Sequence, residues 1–226
     1  MAYELDAELL EAVTARSGSG AMLPPPAARD GWKAVREFGE TALAGIELTL
    51  PEHPEVTRTD YWATSFDGAE VGLRWYTPEG HDPSGSGPAA LFLHGGGMIA
   101  GSVALYDRNT APDPALVPFA GWSYDDNHTG WHALLGEKVG GEDVPGSAAP
   151  ARAADLAGLA PAYVEVGELD IFRNESIEYA RRLAAAGTSV ELHVHPGCPH
   201  GFDRIAADVD VVRRSRADRM RALNSY

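Results

Sequence analysis

An α/β fold is predicted by three observations. Ala89-Ala90-Leu91-Phe92-Leu93 is a short unbroken apolar run, the pattern of a strand buried on both faces. Ala162-Tyr163-Val164-Glu165-Val166 is a second such run. It is followed by residues 175–186, where Ile177, Tyr179, Leu183 and Ala184 fall near one helical stripe. Val190 to His195 then alternates, with Val190, Leu192 and Val194 on one face and His193 and His195 on the other. Strand, helix and strand in that order imply a sheet flanked by helices.

The remaining elements follow the same logic. Asp6 to Arg16 places Leu9, Leu10 and Val13 at helical spacing, and the Gly/Ser/Pro stretch from Ser17 to Pro26 ends that helix. Asp30 is placed to N-cap a second helix carrying Trp32, Val35 and Phe38. Val56–Phe66 and Val71–Tyr76 read as two strands joined at Phe66-Asp67-Gly68, a hairpin signal. Residues 81–88 are a polar loop, and 107–160 show weak periodicity and many turn formers. Gly187 stands where the glycine after a helix belongs. Residues 206–223 form a terminal helix with Val211, Val212, Met220 and Leu223.

Composition removes several functions. The 226 residues suit one domain, and 44% hydrophobic with 23% charged residues is enough for a buried core. A net charge of -15 argues against nucleic acid and against anionic membrane surfaces. Cys198 is the only cysteine, which excludes an intrachain disulfide and a thiolate zinc cluster. The acidic N-terminus has no apolar segment of signal-peptide type, and no run is long enough to span a membrane. A soluble cytoplasmic protein is expected.

Three segments carry chemistry. His94-Gly95-Gly96-Gly97 directly follows the buried strand at 89–93. Successive glycines let backbone N–H groups approach a ligand and point at a developing oxyanion, each such donor being worth about 3–4 kcal/mol in a transition state. The ordinary alternative is a glycine-rich turn. Asp170 lies just past strand 162–166, at the end of a strand where α/β folds place functional groups, although a lone aspartate there also serves to start a helix. His200 sits in the tight loop Pro196-Gly197-Cys198-Pro199-His200-Gly201 after the last strand. It is placed to act as a general base oriented by a carboxylate, or simply as a surface histidine. Acid then base, each after a strand, strengthens the pair. His193, His195, Cys198 and His200 also form a candidate metal set. No carboxylate or second cysteine completes it, so no metal and no cofactor is expected.

Taken together, the chain resembles the hormone-sensitive-lipase-like, HGGG-bearing family of α/β hydrolases. Three passages carry the resemblance: Phe92–Ser102 with its HGGG, Pro161–Asp170, and Glu191–Phe202. The resemblance implies an α/β-hydrolase sheet flanked by helices under an N-terminal helical cap. It implies carboxylesterase activity on short acyl esters, with oxyanion N–H groups from Gly95 and Gly96, Asp170 as the acid and His200 as the base. One domain would span 1–226, with cap helices in 1–48, the first strands and oxyanion loop in 52–106, and the acid and base in 107–226.

The departure from the family lies between those passages. The sequence contains no G-x-S-x-G. Where the family carries the serine elbow and its neighbouring strands, Ser102–Tyr106 runs straight into Asp107–Thr110. Three strand–helix units at about 30 residues each amount to roughly 80–90 residues, so an internal deletion near Tyr106/Asp107 removes the central strands. No other serine replaces the nucleophile: Ser102 is on the oxyanion loop, Ser123 and Ser189 lack the second glycine, and none sits on a strand-to-helix elbow. Cys198 is too near His200 in the chain to face it. The expected protein is therefore esterase-like, with a small-molecule ester as substrate if active, and inactive as a serine esterase. A non-catalytic acyl- or anion-binding protein and a truncated gene product remain as alternatives. Uncovered apolar strand faces make a homo-oligomer one expected outcome.

Overall fold

The computed structural model describes residues 3–17, 31–37, 53–65, 68–81, 113–139, 141, 144 and 153–225. The strand at 89–93, the His94–Gly97 loop, Asp30, Phe38, the Phe66-Asp67 turn tip and the 106/107 junction lie outside these residues. The chain divides into two units, residues 39–93 and the remainder.

The smaller unit holds an antiparallel hairpin of β1 (Val56–Thr64) and β2 (Glu70–Pro78), with Tyr61 opposite Leu73 and Thr59 opposite Trp75. Its turn is closed by the Ser65 N–H on the Ala69 carbonyl at 2.8 Å. Side chains alternate across a strand, so Tyr61, Ala63, Val71, Leu73 and Trp75 share one face. The other face is mixed, with exposed Trp62 and Tyr76 beside the Arg74–Asp60 pair at 2.6 Å.

The larger unit begins with α1 (Ala7–Ser17), whose first turn is capped by Asp6: its Oδ1 accepts the N–H groups of Glu8 and Leu9 at 3.1 and 3.2 Å. Leu9 and Val13 are buried and Leu10 is exposed. A helical turn, α2, covers 32–37. Then α3 (Tyr124–Leu135) starts at a reciprocal cap: Asp126 N–H donates to Ser123 Oγ at 3.1 Å, and Ser123 N–H donates to Asp126 Oδ2 at 3.0 Å. This helix lies in the stretch whose periodicity is weak, because its buried side is built from Asn127, Thr129, Gly130 and Trp131 and not from an aliphatic stripe.

β3 (Ala162–Gly167) and β4 (Val190–His195) pair in parallel, with Ala162 opposite Val190 and Gly167 opposite His195. Parallel neighbours need a crossover, and α4 (Arg173–Ala185) supplies it and packs on both strands. Its buried residues are Ala180 and Leu183, while Ile177 and Ala184 face out. A short α5 (Phe202–Ile205) leads to α6 (Asp210–Leu223). Val211 and Val212 of α6 are buried as expected, but Met220 and Leu223 are exposed. The reason is the strand face that α6 covers. It lies on the Glu165, Glu191 and His193 side through Ser215, Asp218, Arg219 and Arg221, and leaves Leu192 and Val194 each 38% exposed. Among the described residues no helix is long and apolar enough to cross a membrane.

Candidate active site

The turn after β3 and the turn after β4 lie side by side, because the ladder continues past the strands. Glu168 N–H donates to the His195 carbonyl and Leu169 N–H to the Cys198 carbonyl, both at 2.9 Å. The approach leaves no room at Gly167, where a Cβ would sit 2.1 Å from the Cys198 carbonyl oxygen. Asp170 and His200 are thereby brought together, with Asp170 Oδ2 2.9 Å from His200 Nδ1. The second oxygen, Oδ1, accepts the Phe172 N–H at 2.9 Å.

The pair is asymmetric in solvent. The Asp170 side chain is 8% exposed and the His200 ring 44%. An ionised carboxylate only accepts hydrogen bonds, so this contact places the imidazole proton on Nδ1 and leaves the Nε2 lone pair free. The Phe172 ring meets the imidazole edge-on, with centroids 5.4 Å apart. Phe172 packs in turn against the cluster of Trp131 and Val144 from the α3 region. A carboxylate-held imidazole whose Nε2 meets no partner among the described residues suits general base catalysis.

The other histidines are engaged elsewhere. His193 Nε2 lies 2.7 Å from Glu191 Oε1, and Nδ1 lies 3.9 Å from Asp218 Oδ2. Glu191, His193 and Asp218 offer ligand atoms within 4.8 Å of one another, but Arg221 pairs with both carboxylates. Hydrogen bonds from Arg221 and His193 hold the Glu191 carboxyl down to about 2. A resident cation of the protein's own already occupies this group, and the two ring nitrogens of His193 face different carboxylates, so the arrangement does not suit one metal ion. His195 is buried with Nε2 3.5 Å from Glu165 Oε2. Cys198 is fully buried; burial pushes its thiol up to about 12, and its Sγ donates to the Pro196 carbonyl at 3.4 Å. It is a packing residue and not a thiolate. Ser123 Oγ is spent on the α3 cap, donating to Asp126 Oδ2 at 2.7 Å.

A family model described as the alpha/beta hydrolase fold matches residues 118–204, which include α3, Asp170 and His200. The chain is 24% identical to an ethyl acetate hydrolase of Pseudomonas putida over 300 aligned positions, covering 90% of this chain and 92% of that one. It is 28% identical over 217 residues to the carboxylesterase NlhH of Mycobacterium tuberculosis, covering 82% of this chain and 65% of the relative. Among solved structures, a bacterial heroin esterase superposes with a TM-score of 0.73 at 25% identity over 95% of each chain. A brefeldin A esterase, titled a bacterial homologue of human hormone sensitive lipase, gives 0.61 at 18% identity over 97% of this chain and 92% of that one. The chain has the α/β-hydrolase fold, similar to that of the hormone-sensitive-lipase-like esterases. The relatives named above are esterases.

Two supporting groups carry no signature in the sequence. Glu168 and Arg173 flank Asp170 and act across space, on Gly197 at 2.9 Å and on the Tyr3 hydroxyl at 2.9 Å. Nothing in local spacing marks those distant partners. The oxyanion candidates Gly95, Gly96, His94 and Gly97 lie outside the described residues.

Proposed function

We propose that this chain is a carboxylic-ester-hydrolase-like protein that keeps the acid and base of its family, Asp170 and His200, and lacks the serine on which they act. One observation carries the reading: the Asp170–His200 contact of 2.9 Å in a sequence with no G-x-S-x-G. Support for an internal deletion comes from the Pseudomonas relative, since 300 aligned positions exceed the 226 residues available and gaps must open within this chain. The substrate class of the ancestral site is a short-chain carboxylic ester, with Gly95 and Gly96 as oxyanion donors.

The chemistry follows from what remains. His200 Nε2 can accept a proton, and Asp170 stabilises the imidazolium so formed. With no Oγ between base and ester, no acyl-enzyme forms. Loss of the triad serine costs on the order of 10⁶ in rate, leaving binding and oxyanion effects. The protein is then a non-catalytic binder of small esters or their acid products. We place it in the cytoplasm, where a lone thiol stays reduced.

The test is hydrolysis of p-nitrophenyl acetate together with intact-mass spectrometry after fluorophosphonate treatment. The rate is expected to match that of a His200→Ala control, with no stoichiometric adduct. A wild-type rate a hundredfold above the control, or one full adduct on any serine, overturns the proposal.

A further inference from the structure

We propose that Glu168 is a positioning residue of this site, clamping the base-bearing loop to the acid-bearing loop so that His200 and Asp170 stay in register. Glu168 stands two residues before Asp170, and Gly197 stands three before His200. Glu168 Oε2 accepts the Gly197 N–H at 2.9 Å. Gly197 is buried at φ +67, and a Cβ there would lie 2.5 Å from the Asp6 nitrogen, so the loop is pressed against the N-terminal segment at this point. Its carbonyl accepts the Asp6 N–H at 2.8 Å. A buried N–H in such a turn needs an acceptor, and leaving it unmet carries a desolvation penalty. The Glu168 carboxylate fills that need.

The backbone of Glu168 is committed to the same junction. Its N–H donates to the His195 carbonyl at 2.9 Å, at the end of β4. Its carbonyl accepts Arg173 Nη1 at 2.9 Å, at the start of α4, and the same Nη1 donates to the Tyr3 hydroxyl at 2.9 Å. One residue therefore joins β4, the base loop, α4 and the N-terminal segment around the acid. The carboxylate contributes a hydrogen bond to a charged group, stronger than a neutral one. Without it, the ladder that ends at Leu169 and Cys198 is the remaining direct hydrogen-bonded tie among the described residues between the turn at 168–170 and the loop at 196–200, apart from the Asp170–His200 contact itself.

This inference rests on reading Asp170 and His200 as the acid–base pair, and the experiment separates the two. In full-length protein labelled with ¹⁵N-histidine, the downfield Nδ1 proton resonance of a carboxylate-held imidazole is recorded for wild type, His200→Ala, Asp170→Asn, Glu168→Ala, Glu168→Gln and Glu168→Asp, with folding followed by circular dichroism. If no resonance is lost in His200→Ala and Asp170→Asn, the acid–base reading itself fails. If it is lost there, the expected result is loss in Glu168→Ala and Glu168→Asp and retention in Glu168→Gln. Gln keeps an acceptor oxygen at the same reach, whereas Asp keeps the charge but is shorter by one C–C bond of about 1.5 Å. Should Glu168→Ala not fold, the Gln and Asp pair reads the same point. An Asp variant with the wild-type resonance, or a Gln variant without it, overturns the positioning role while leaving the acid–base pair in place.

Discussion

The β1–β2 hairpin and the β3–β4 pair each contain two strands, and they solve the burial problem in opposite ways. The β3–β4 pair is parallel, carries α4 and α6, and turns a polar strand face into an interior. The hairpin is antiparallel, and Tyr61, Val71, Leu73 and Trp75 on its apolar face are all 45% or more exposed. A two-stranded hairpin is marginal on its own in water. The difference shows that hydrophobic alternation alone does not decide which face is covered. The covered face in β3–β4 is the one where Glu165 accepts hydrogen bonds from the Tyr163 hydroxyl and Ser215 Oγ, each at 3.0 Å, and pairs with Arg219. Arg219 reaches on to Asp203 at 2.9 Å, so β3, α5 and α6 are joined by ionic hydrogen bonds around one partly buried carboxylate.

The largest test of the contrast is Leu9→Ala. Leu9 is fully buried with Cys198, Phe202, Val211 and Val212. Truncation there is expected to cost about 2–5 kcal/mol in chemical denaturation, because a cavity opens beneath the base loop. A cost below about 1 kcal/mol would place α1 outside the core of this unit.

A smaller effect is expected from acid. Burial alone raises the Glu165 carboxyl, but the neighbouring His195, hydrogen bonds from Arg219 and Tyr163 and the Arg219 charge hold it from 4.5 down to about 2. A lowered native value means stabilisation that is complete above the ordinary value and is lost as pH falls through the native one. Melting temperature should therefore drop between about pH 4.5 and 2. A Glu165→Gln variant should be less stable at neutral pH and flatter across that window. Parallel melting curves for the two proteins would remove the carboxylate from the account.

The smallest effect on stability belongs to Trp75→Ala in the hairpin, which is 50% exposed. Its melting temperature should stay near wild type, a change within about 0.5 kcal/mol. Its signature should appear in association instead. Exposed apolar patches favour self-contact, so light scattering should show assemblies that grow with concentration in wild type and recede in the variant. A wild-type protein monodisperse at all concentrations would mean that the hairpin face has no such role.

Much of the larger unit was legible in the sequence for definite reasons. The strands at 162–166 and 190–195, the helix between them and its terminal Gly187, at φ +86, follow from apolar runs and backbone preferences that act within a few residues. That Asp170 and His200 each stand just past a strand was legible too, since both strands are marked by their own residues. The α3 helix was not, since its start is a Ser123/Asp126 cap and its buried side is polar and aromatic. Met220 and Leu223 misled for a related reason: α6 packs on carboxylates and histidines, so its buried residues are Val211, Val212, Ser215 and Ala222.

The sequence by itself determined the α/β order, an aspartate and a histidine just past two successive strands, and the absence of a G-x-S-x-G, because all three are properties of short stretches read in line. Only the tertiary structure decided that Asp170 meets Nδ1 of His200, that Cys198 is sealed as a protonated thiol, and that Glu168 reaches Gly197. Each of those depends on two loops separated by about thirty residues being laid side by side by a parallel ladder, a distance over which local propensity carries no information.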